Sequence, residues 1–134
     1  MIGDTDFFID LMHPQRARHP AALRKTRELE ARGIRIVMTA ITRFELAVGV
    51  GLYAEGAAER ERVLTLLREH ATYALDGPAA DRAGALQGEL RERGQTLGVA
   101  DALIAGIALE HEEELLTRNE KDFSRVDRLR TVSY

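Results

Sequence analysis

Short β-like segments alternate with longer helical stretches along this chain, and that alternation limits its fold more than any other feature. Four segments rich in aliphatic or β-branched residues occupy positions 1–4, 34–38, 71–75 and 114–117, and a weaker fifth lies at 130–134. Helical patterns fill the intervals at 19–33, 42–50, 57–70, 78–94 and 99–113. This order predicts an α/β fold, an α/β/α sandwich around a mainly parallel sheet of four to five strands.

The composition is typical of a globular protein, and we expect one domain spanning residues 1–134. The chain is 45% hydrophobic and 31% charged, which argues against global disorder. The absence of cysteine excludes disulfides, thiolate metal sites and a cysteine nucleophile, and it suits a reducing cytoplasm. No apolar run approaches the ~18 residues of a membrane span, so we expect a cytoplasmic protein without a membrane partner.

Acidic side chains follow the predicted strands. The ligands of parallel α/β sheets bind beyond the carboxyl ends of the strands, so polar residues at these positions are the first candidates for a functional site. Five carboxylates occupy such positions: Asp4, Asp6, Glu45, Asp101 and Asp122.

Each of these acids also has a purely structural interpretation. The stretch from Thr42 to Glu45 fits a Thr-x-x-Glu capping box, in which Glu45 would only accept bonds from backbone N–H groups. Asp122 could help to cap a short turn, and Asp101 would be favoured by the dipole of its helix. Taken one at a time, the acids leave both interpretations open.

Asp101 and Asp4 favour the functional interpretation. At helical spacing Asp101 shares a face with Ile104 and Ala108, the stripe that must pack on the sheet, and Asp4 ends a strand that is expected to be buried. Desolvating such carboxylates costs several kcal/mol unless a cation or hydrogen-bond donors compensate. A divalent cation with a preference for oxygen ligands, Mg²⁺ or Mn²⁺, would satisfy this requirement.

A phosphatase is an alternative explanation of the Asp4-Thr5-Asp6 stretch. Haloacid-dehalogenase-like phosphatases have a nucleophilic aspartate followed two residues later by an acid/base aspartate. That pattern usually carries Thr or Val where this chain has Phe8, and it needs a lysine, for which Lys121 is the only late candidate. The pattern therefore favours a metal site over a phosphoaspartate.

The whole chain resembles the PIN-domain ribonucleases, specifically the VapC toxins of VapBC toxin–antitoxin pairs. Four blocks in the family's order carry the resemblance: "IGDTDFFIDLM", "TAITRFELAVG", "LGVADALIAGIAL" and "LLTRNEKDF". The resemblance implies an acidic quartet that is both catalytic and metal-binding: Asp4, Glu45, Asp101 and Asp122. It also implies supporting roles around that quartet for Thr5, Asp6, Thr117 and Asn119, whereas we expect Asp10 to face solvent.

The function implied by the resemblance is Mg²⁺-dependent (or Mn²⁺-dependent) hydrolysis of RNA phosphodiester bonds by a toxin that a cognate antitoxin inhibits. We expect a homodimer that meets DNA only through the antitoxin. An apolar patch beside the acids could line a groove for the antitoxin: Phe7, Phe8, Leu11 and Met12. A different hypothesis is a non-catalytic or weakly catalytic binding module that works mainly within an antitoxin–DNA regulatory complex. The net charge of −3 does not by itself indicate nucleic-acid binding.

Overall fold

The computed structural model describes residues 1–52 and 56–134. Within these ranges short strands alternate with helices. In chain order the elements are β1 (Ile2–Gly3), α1 (Thr5–Met12), α2 (His19–Ala31), β2 (Met38–Thr39), α3 (Ala40–Leu52), α4 (Ala57–Glu69), β3 (Thr72–Tyr73), α5 (Gly77–Glu92), α6 (Val99–Glu110), β4 (Leu115–Leu116), α7 (Glu120–Phe123) and β5 (Thr131–Val132).

All five strands lie at or beside the predicted segments, and all are parallel. Strands β1, β4 and β5 form one sheet, with β4 in the middle, and β2 pairs with β3. A single parallel bridge between Ile2 and Val37 joins the two groups, supported by a 3.0 Å hydrogen bond from Gly3 N to Val37 O. The spatial order is therefore β3-β2-β1-β4-β5, which confirms the predicted parallel sheet.

Helices cover both faces of this sheet, each over its own hydrophobic core. On one face α5 and α6 pack against β1 and β4 through residues such as Leu90, Ile104 and Leu115. On the other face α1 to α4 enclose Phe7, Phe8 and the side chain of Leu116. The neighbours Leu115 and Leu116 point to opposite faces, as the period of a strand requires. The predicted α/β/α sandwich is confirmed.

Two close approaches require glycine. A Cβ on Gly106 in α6 would lie 2.6 Å from the carbonyl oxygen of Ala79, so glycine lets α6 approach α5. A Cβ on Gly3 would lie 2.8 Å from the ring of Phe8 and 2.9 Å from that of Phe7. The two rings meet edge to face at 5.3 Å and are fully buried. Such burial stabilises the fold by roughly 1.5–3 kcal/mol per side chain.

Helices α1 and α7 are absent from the predicted helical stretches. Helix α1 spans 8 residues and α7 only 4, which is too short for an apolar period to be evident. Helix α3 begins at Ala40 rather than near Thr42, because the hydroxyl of Thr39 accepts the N–H of Thr42 at 3.0 Å and caps the helix.

The topology creates one crevice at the carboxyl ends of the strands. From β1 the chain proceeds through α1 and α2 to β2 on one side, while β4 pairs with the other side of β1. The order of the strands reverses at this point, and ligands of open parallel sheets bind at such reversals. Asp4 and Thr117 are the residues that directly follow β1 and β4. None of the helices in the described ranges has the length and apolar character needed to cross a membrane.

Candidate acidic site

Asp4 lies at the centre of the crevice between β1 and β4. Its backbone N–H donates to the carbonyl oxygen of Leu116 at 3.0 Å, which fixes it at the end of the sheet. One carboxylate oxygen caps α1 by accepting the N–H of Phe7 at 2.7 Å, and the other accepts the hydroxyl proton of Thr117 at 2.5 Å. Asp4 is only 5% exposed. Both of these donors are neutral, so neither neutralises the carboxylate.

The electrostatic surroundings of Asp4 disfavour its charged form. Burial, together with the nearby charges of Asp6 and Asp101, raises the pKa of Asp4 from 3.8 to about 6. The hydrogen bonds from Thr117 and Phe7 act in the opposite direction without cancelling the rise. A buried carboxylate that lacks a cationic partner favours the approach of an external cation.

Glu45 is held at the same crevice by a side chain rather than by the backbone. The hydroxyl of Thr5 donates to Glu45 Oε2 at 2.5 Å, and Thr42 lies beside it with 3.3 Å between the two hydroxyl oxygens. The capping-box interpretation of Glu45 is wrong, because Thr39 caps the helix and Glu45 reaches across to α1 instead. The other oxygen of Glu45, Oε1, has no hydrogen bond among the described residues.

Asp101 faces these acids from the first turn of α6. It is half-buried, and its neighbours on the same helical face, Ile104 and Ala108, are buried in the core as the spacing predicts. Burial raises the pKa of Asp101, and the charges of Glu45, Asp122 and Asp6 raise it further. Asp101 accepts no hydrogen bond and makes no ion pair among the described residues.

Asp122 and Asn119 come from the segment that follows β4. Asn119 donates its backbone N–H to the hydroxyl of Thr117 at 2.9 Å, which orients the proton of that hydroxyl towards Asp4. Asp122 lies on α7 and makes a 3.2 Å ion pair with Arg125. This pair is partly exposed, so it is weak and open to competition.

The structure therefore brings together all four acids of the predicted quartet from four different elements of the chain. Beyond the effect of burial, the charges of Glu45 and Asp122 raise the pKa of Asp101, and the charge of Asp101 in turn raises the pKa of Asp4. Among the described residues, no group of three or more potential ligands is already arranged closely enough to hold a metal ion. The metal-binding and catalytic roles of the quartet remain predictions.

Asp10 does not face solvent, contrary to the expectation from the sequence. Its side chain is fully buried and accepts hydrogen bonds from Arg16 at 2.5 Å, Arg118 at 2.9 Å and the Tyr134 hydroxyl at 3.0 Å. Burial, followed by the hydrogen bond to Asp10, raises the pKa of Tyr134, which keeps this hydroxyl a neutral donor. The expectation failed because the donors lie up to 124 residues away along the chain.

Asp6 joins this network to the acidic site. It lies on α1 one turn before Asp10, and Arg118 reaches both carboxylates, pairing with Asp6 at 2.9 Å. No local pattern marks Arg118 or Tyr134 as residues of the site, and the Thr-x-x-Glu pattern that contains Thr42 suggested only a helix cap for it. The only available signal for Arg118 was its position between Thr117 and Asn119 in the last resembling block.

Phe7 and Phe8 do not line an exposed groove, because both are fully buried behind Gly3. Leu11 and Met12 are partly buried at the edge of the same core. A cleft of about 650 Å³ does open beside the acidic site, and Met12 and Glu45 both contribute to it. Its walls come from α1, α3 and α4 and include Ile9, Leu46 and Val63.

Comparison with known proteins agrees with this architecture. The family model for the PIN domain matches residues 1–129. No curated protein sequence matches the chain. Among solved structures, VapBC2 of Rickettsia felis bound to a DNA fragment from its promoter is similar with a TM-score of 0.85 and 22% identity, over 99% of this chain and 97% of that one.

Two further structures are informative. VapBC-1 of nontypeable Haemophilus influenzae is similar with a TM-score of 0.79 and 26% identity, over 98% of this chain and 96% of that one. The Mycobacterium tuberculosis toxin VapC20, described as cleaving the sarcin–ricin loop, is similar with a TM-score of 0.63 and 16% identity, over 84% of each chain. At such identity the likeness to VapC20 shows the fold alone.

Proposed function

The chain belongs to the PIN-domain family, and we propose that it is a metal-dependent endoribonuclease acting as the toxin of a toxin–antitoxin pair. One observation carries the proposal. Asp4 and Asp101 are both shielded from solvent, the charge of Asp101 acts on Asp4, and no cation among the described residues is bound to either carboxylate. An acidic site of this kind accepts a polyanion such as RNA once external cations occupy it.

The chemistry of the site suits Mg²⁺ or Mn²⁺. Its ligands are carboxylate oxygens, which these hard cations prefer, and the chain offers no cysteine. Asp4 and Asp101 would hold the ion, and Glu45 and Asp122 would hold a second ion or act on the attacking water. When bound, the metal would polarise the phosphodiester and stabilise the charge that develops during hydrolysis.

The residues of the chain supply orientation and proton transfer. Thr117 and the backbone N–H of Phe7 fix both oxygens of Asp4, so the carboxylate is oriented before any ligand arrives. Thr5 occupies one oxygen of Glu45 and leaves Oε1 available to accept a proton from a water attacking phosphorus. The leaving oxygen of the RNA then takes a proton from solvent, which completes hydrolysis.

An antitoxin is the partner that we propose for the cleft beside the site. The cleft is lined by apolar residues together with the charged Arg16, Glu59 and Arg62. Glu45 also lines it, so a bound segment would cover this acid of the site. Apolar burial would hold an amphipathic segment there, and a basic side chain could approach the acids. The similar Rickettsia and Haemophilus structures are VapBC complexes. We expect a homodimer, with DNA contacted through the antitoxin.

Cleavage of a structured RNA tests the enzymatic part. Substrates should include a sarcin–ricin hairpin, because the similar toxin VapC20 is described as cleaving that loop. We expect cleavage with Mg²⁺, none with chelator, and a loss in Asp4→Asn and Asp101→Asn but not in the distant control Asp127→Asn. Full activity in both site variants would refute the proposal.

Expression in a bacterial host tests the physiological part. Growth arrest that is relieved by the antitoxin-like product of a neighbouring gene would support a toxin. The regulatory hypothesis expects something different: no arrest and no metal-stimulated cleavage, but binding of the complex to its own promoter. That hypothesis takes its support from the promoter DNA bound to the Rickettsia complex.

A further inference from the structure

Arg118 bridges two carboxylates of helix α1 at the edge of the acidic site. Its Nη1 donates to Asp10 at 2.9 Å and its Nε donates to Asp6 Oδ2 at 3.2 Å, while Nη2 makes an ion pair with Asp6 Oδ1 at 2.9 Å. The edge formed by Nε and Nη2 thus faces both oxygens of Asp6, and guanidinium groups bind phosphate through the same edge.

The two ends of this bridge differ in how firmly they are held. The side chain of Asp10 is 1% exposed and is also bound by Arg16 and Tyr134, so its bond to Arg118 is enclosed. The side chain of Asp6 is 43% exposed, and that of Arg118 is 27% exposed. Solvent and salt screen an exposed pair much more than a buried one. Asp10 is therefore a fixed anchor, and Asp6 is a partner that can be replaced.

The replaceable edge of Arg118 adjoins the proposed reaction centre. Arg118 directly follows Thr117, whose hydroxyl binds Asp4, and it precedes Asn119, which orients that hydroxyl. Asp6 is close enough for its charge to act on both Asp4 and Asp101. A group that displaced Asp6 from Arg118 would therefore lie beside the acids without entering the crevice itself.

We propose that Arg118 binds a backbone phosphate of the RNA next to the one that is cleaved, with Asp10 as its anchor and Asp6 as the carboxylate that occupies its free edge when RNA is absent. This inference rests on the proposed function. The planar fork of arginine fits two phosphate oxygens as it fits the two oxygens of Asp6. RNA binding would exchange one anion for another, and Asp6 would compete with the substrate for Arg118.

The competition predicts opposite effects of two substitutions on RNA affinity. Removing the fork with Arg118→Gln should weaken binding by about tenfold and lower the slope of log K against log salt by about 0.7, the value for one phosphate contact on a single strand. Removing the competitor with Asp6→Asn should tighten binding severalfold. In the double variant the gain from Asp6→Asn should disappear, because the edge that it frees is gone.

The measurement is fluorescence anisotropy of a short labelled RNA of mixed sequence, with Ca²⁺ in place of Mg²⁺ and integrity of the RNA checked on a gel. Arg130→Gln is the matched control, because Arg130 pairs with Glu114 at the opposite end of the sheet and the charge change is the same. Arg130→Gln should leave the affinity close to that of the wild type.

Melting curves separate binding from folding. In Arg118→Gln, Asp10 still accepts hydrogen bonds from Arg16 and Tyr134, so the variant should fold. If Arg118→Gln does not fold, the RNA affinity of Asp6→Asn tests the inference, because this variant leaves the bond between Arg118 and Asp10 intact. A purely structural bridge would make both single variants bind RNA more weakly, and either that result or wild-type affinity in Arg118→Gln would overturn the inference. Failure of the wild type to bind RNA would instead refute the proposed function.

Discussion

Asp4 and Asp10 are two buried carboxylates less than two helical turns apart, and they differ in the groups that donate hydrogen bonds to them. Asp10 accepts hydrogen bonds from two arginines and a tyrosine. Among the described residues, Asp4 accepts bonds only from a threonine hydroxyl and a backbone N–H, and the charges of further acids act on it. Arginines neutralise the negative charge of Asp10, whereas no cation in the described part of the chain neutralises that of Asp4.

This difference separates a structural carboxylate from a functional one more clearly than burial does. Burial alone does not distinguish the two residues, since both are less than a tenth exposed. The type of donor distinguishes them, because the two neutral donors to Asp4 offset the cost of desolvating its charge less than the arginines offset that of Asp10. We therefore expect Asp10 to matter for stability and Asp4 for activity, and substitutions can test each half of that expectation.

The largest effect on stability should come from Asp10→Asn. The amide cannot neutralise Arg16 and Arg118, so these two partly exposed cations lose their shared partner. Because solvent still reaches both cations, the loss should be about 2–3 kcal/mol in the free energy of unfolding. Urea denaturation followed by circular dichroism measures the loss. A variant as stable as the wild type would show that the network contributes nothing net to folding.

The reverse pattern is expected for Asp4→Asn. Activity should fall by about a hundredfold or more, because the residue is a proposed ligand of the metal. Stability without metal should stay equal or rise, since the amide removes a buried charge without a cationic partner. Cleavage rates and denaturation curves of the same preparation check both parts. A strongly destabilised but active Asp4→Asn variant would show that Asp4, like Asp10, serves stability rather than activity.

The pH dependence of stability should also differ between the wild type and Asp4→Asn. The folded-state pKa of Asp4, about 6, lies above its ordinary value of 3.8, so the folded protein binds more protons between these values. The contribution of protonated Asp4 is therefore complete at low pH and is lost as the pH rises through about 6.

Denaturation in chelator at about pH 5 and about pH 7.5 measures this loss. It should amount to about 1–2 kcal/mol more in the wild type than in Asp4→Asn, whose amide does not titrate. Two parallel pH profiles would show that Asp4 ionises normally in the folded protein.

The smallest effect on stability should come from Asp127→Asn, because Asp127 is exposed although, like Asp10, it pairs with an arginine. Asp127 pairs with Arg93 at 2.6 Å on the surface, and this pair lowers the pKa of Asp127. Solvent and salt screen such a pair, so Asp127→Asn should not change the melting temperature measurably. A clearly lower melting temperature of Asp127→Asn would mean that burial is not the reason why the ion pairs of Asp10 stabilise the fold.

Much of the fold could be predicted because its signals are local. Each strand lies at or beside an aliphatic or β-branched segment, and the long helices follow apolar periods of 3.6 residues. The position of Asp101 was also predictable, since its face is set by the spacing to Ile104 and Ala108. Helices α1 and α7 escaped prediction because 8 and 4 residues hold too few turns to show a period.

The partners of the acids were predicted less well. Glu45 fitted a capping box, yet it accepts a bond from Thr5, 40 residues away in sequence. Phe7 and Phe8 adjoin the acids in sequence, but the close approach at Gly3 directs both rings into the core. In both cases the sequence pattern was real, and a contact from a distant element took precedence over it.

The sequence by itself determined the order of strands and helices and the placement of acids after the strands, because both depend on neighbouring residues. Only the tertiary structure decided which acids have a cation as a partner. Arg118 lies 108 residues from Asp10 in sequence and makes contact only because β4 pairs beside β1. Asp4, at the same edge of the sheet, receives no such cation from residues 1–52 or 56–134. The compensation of a buried charge depends on proximity in space, and that proximity follows from the parallel pairing of distant strands.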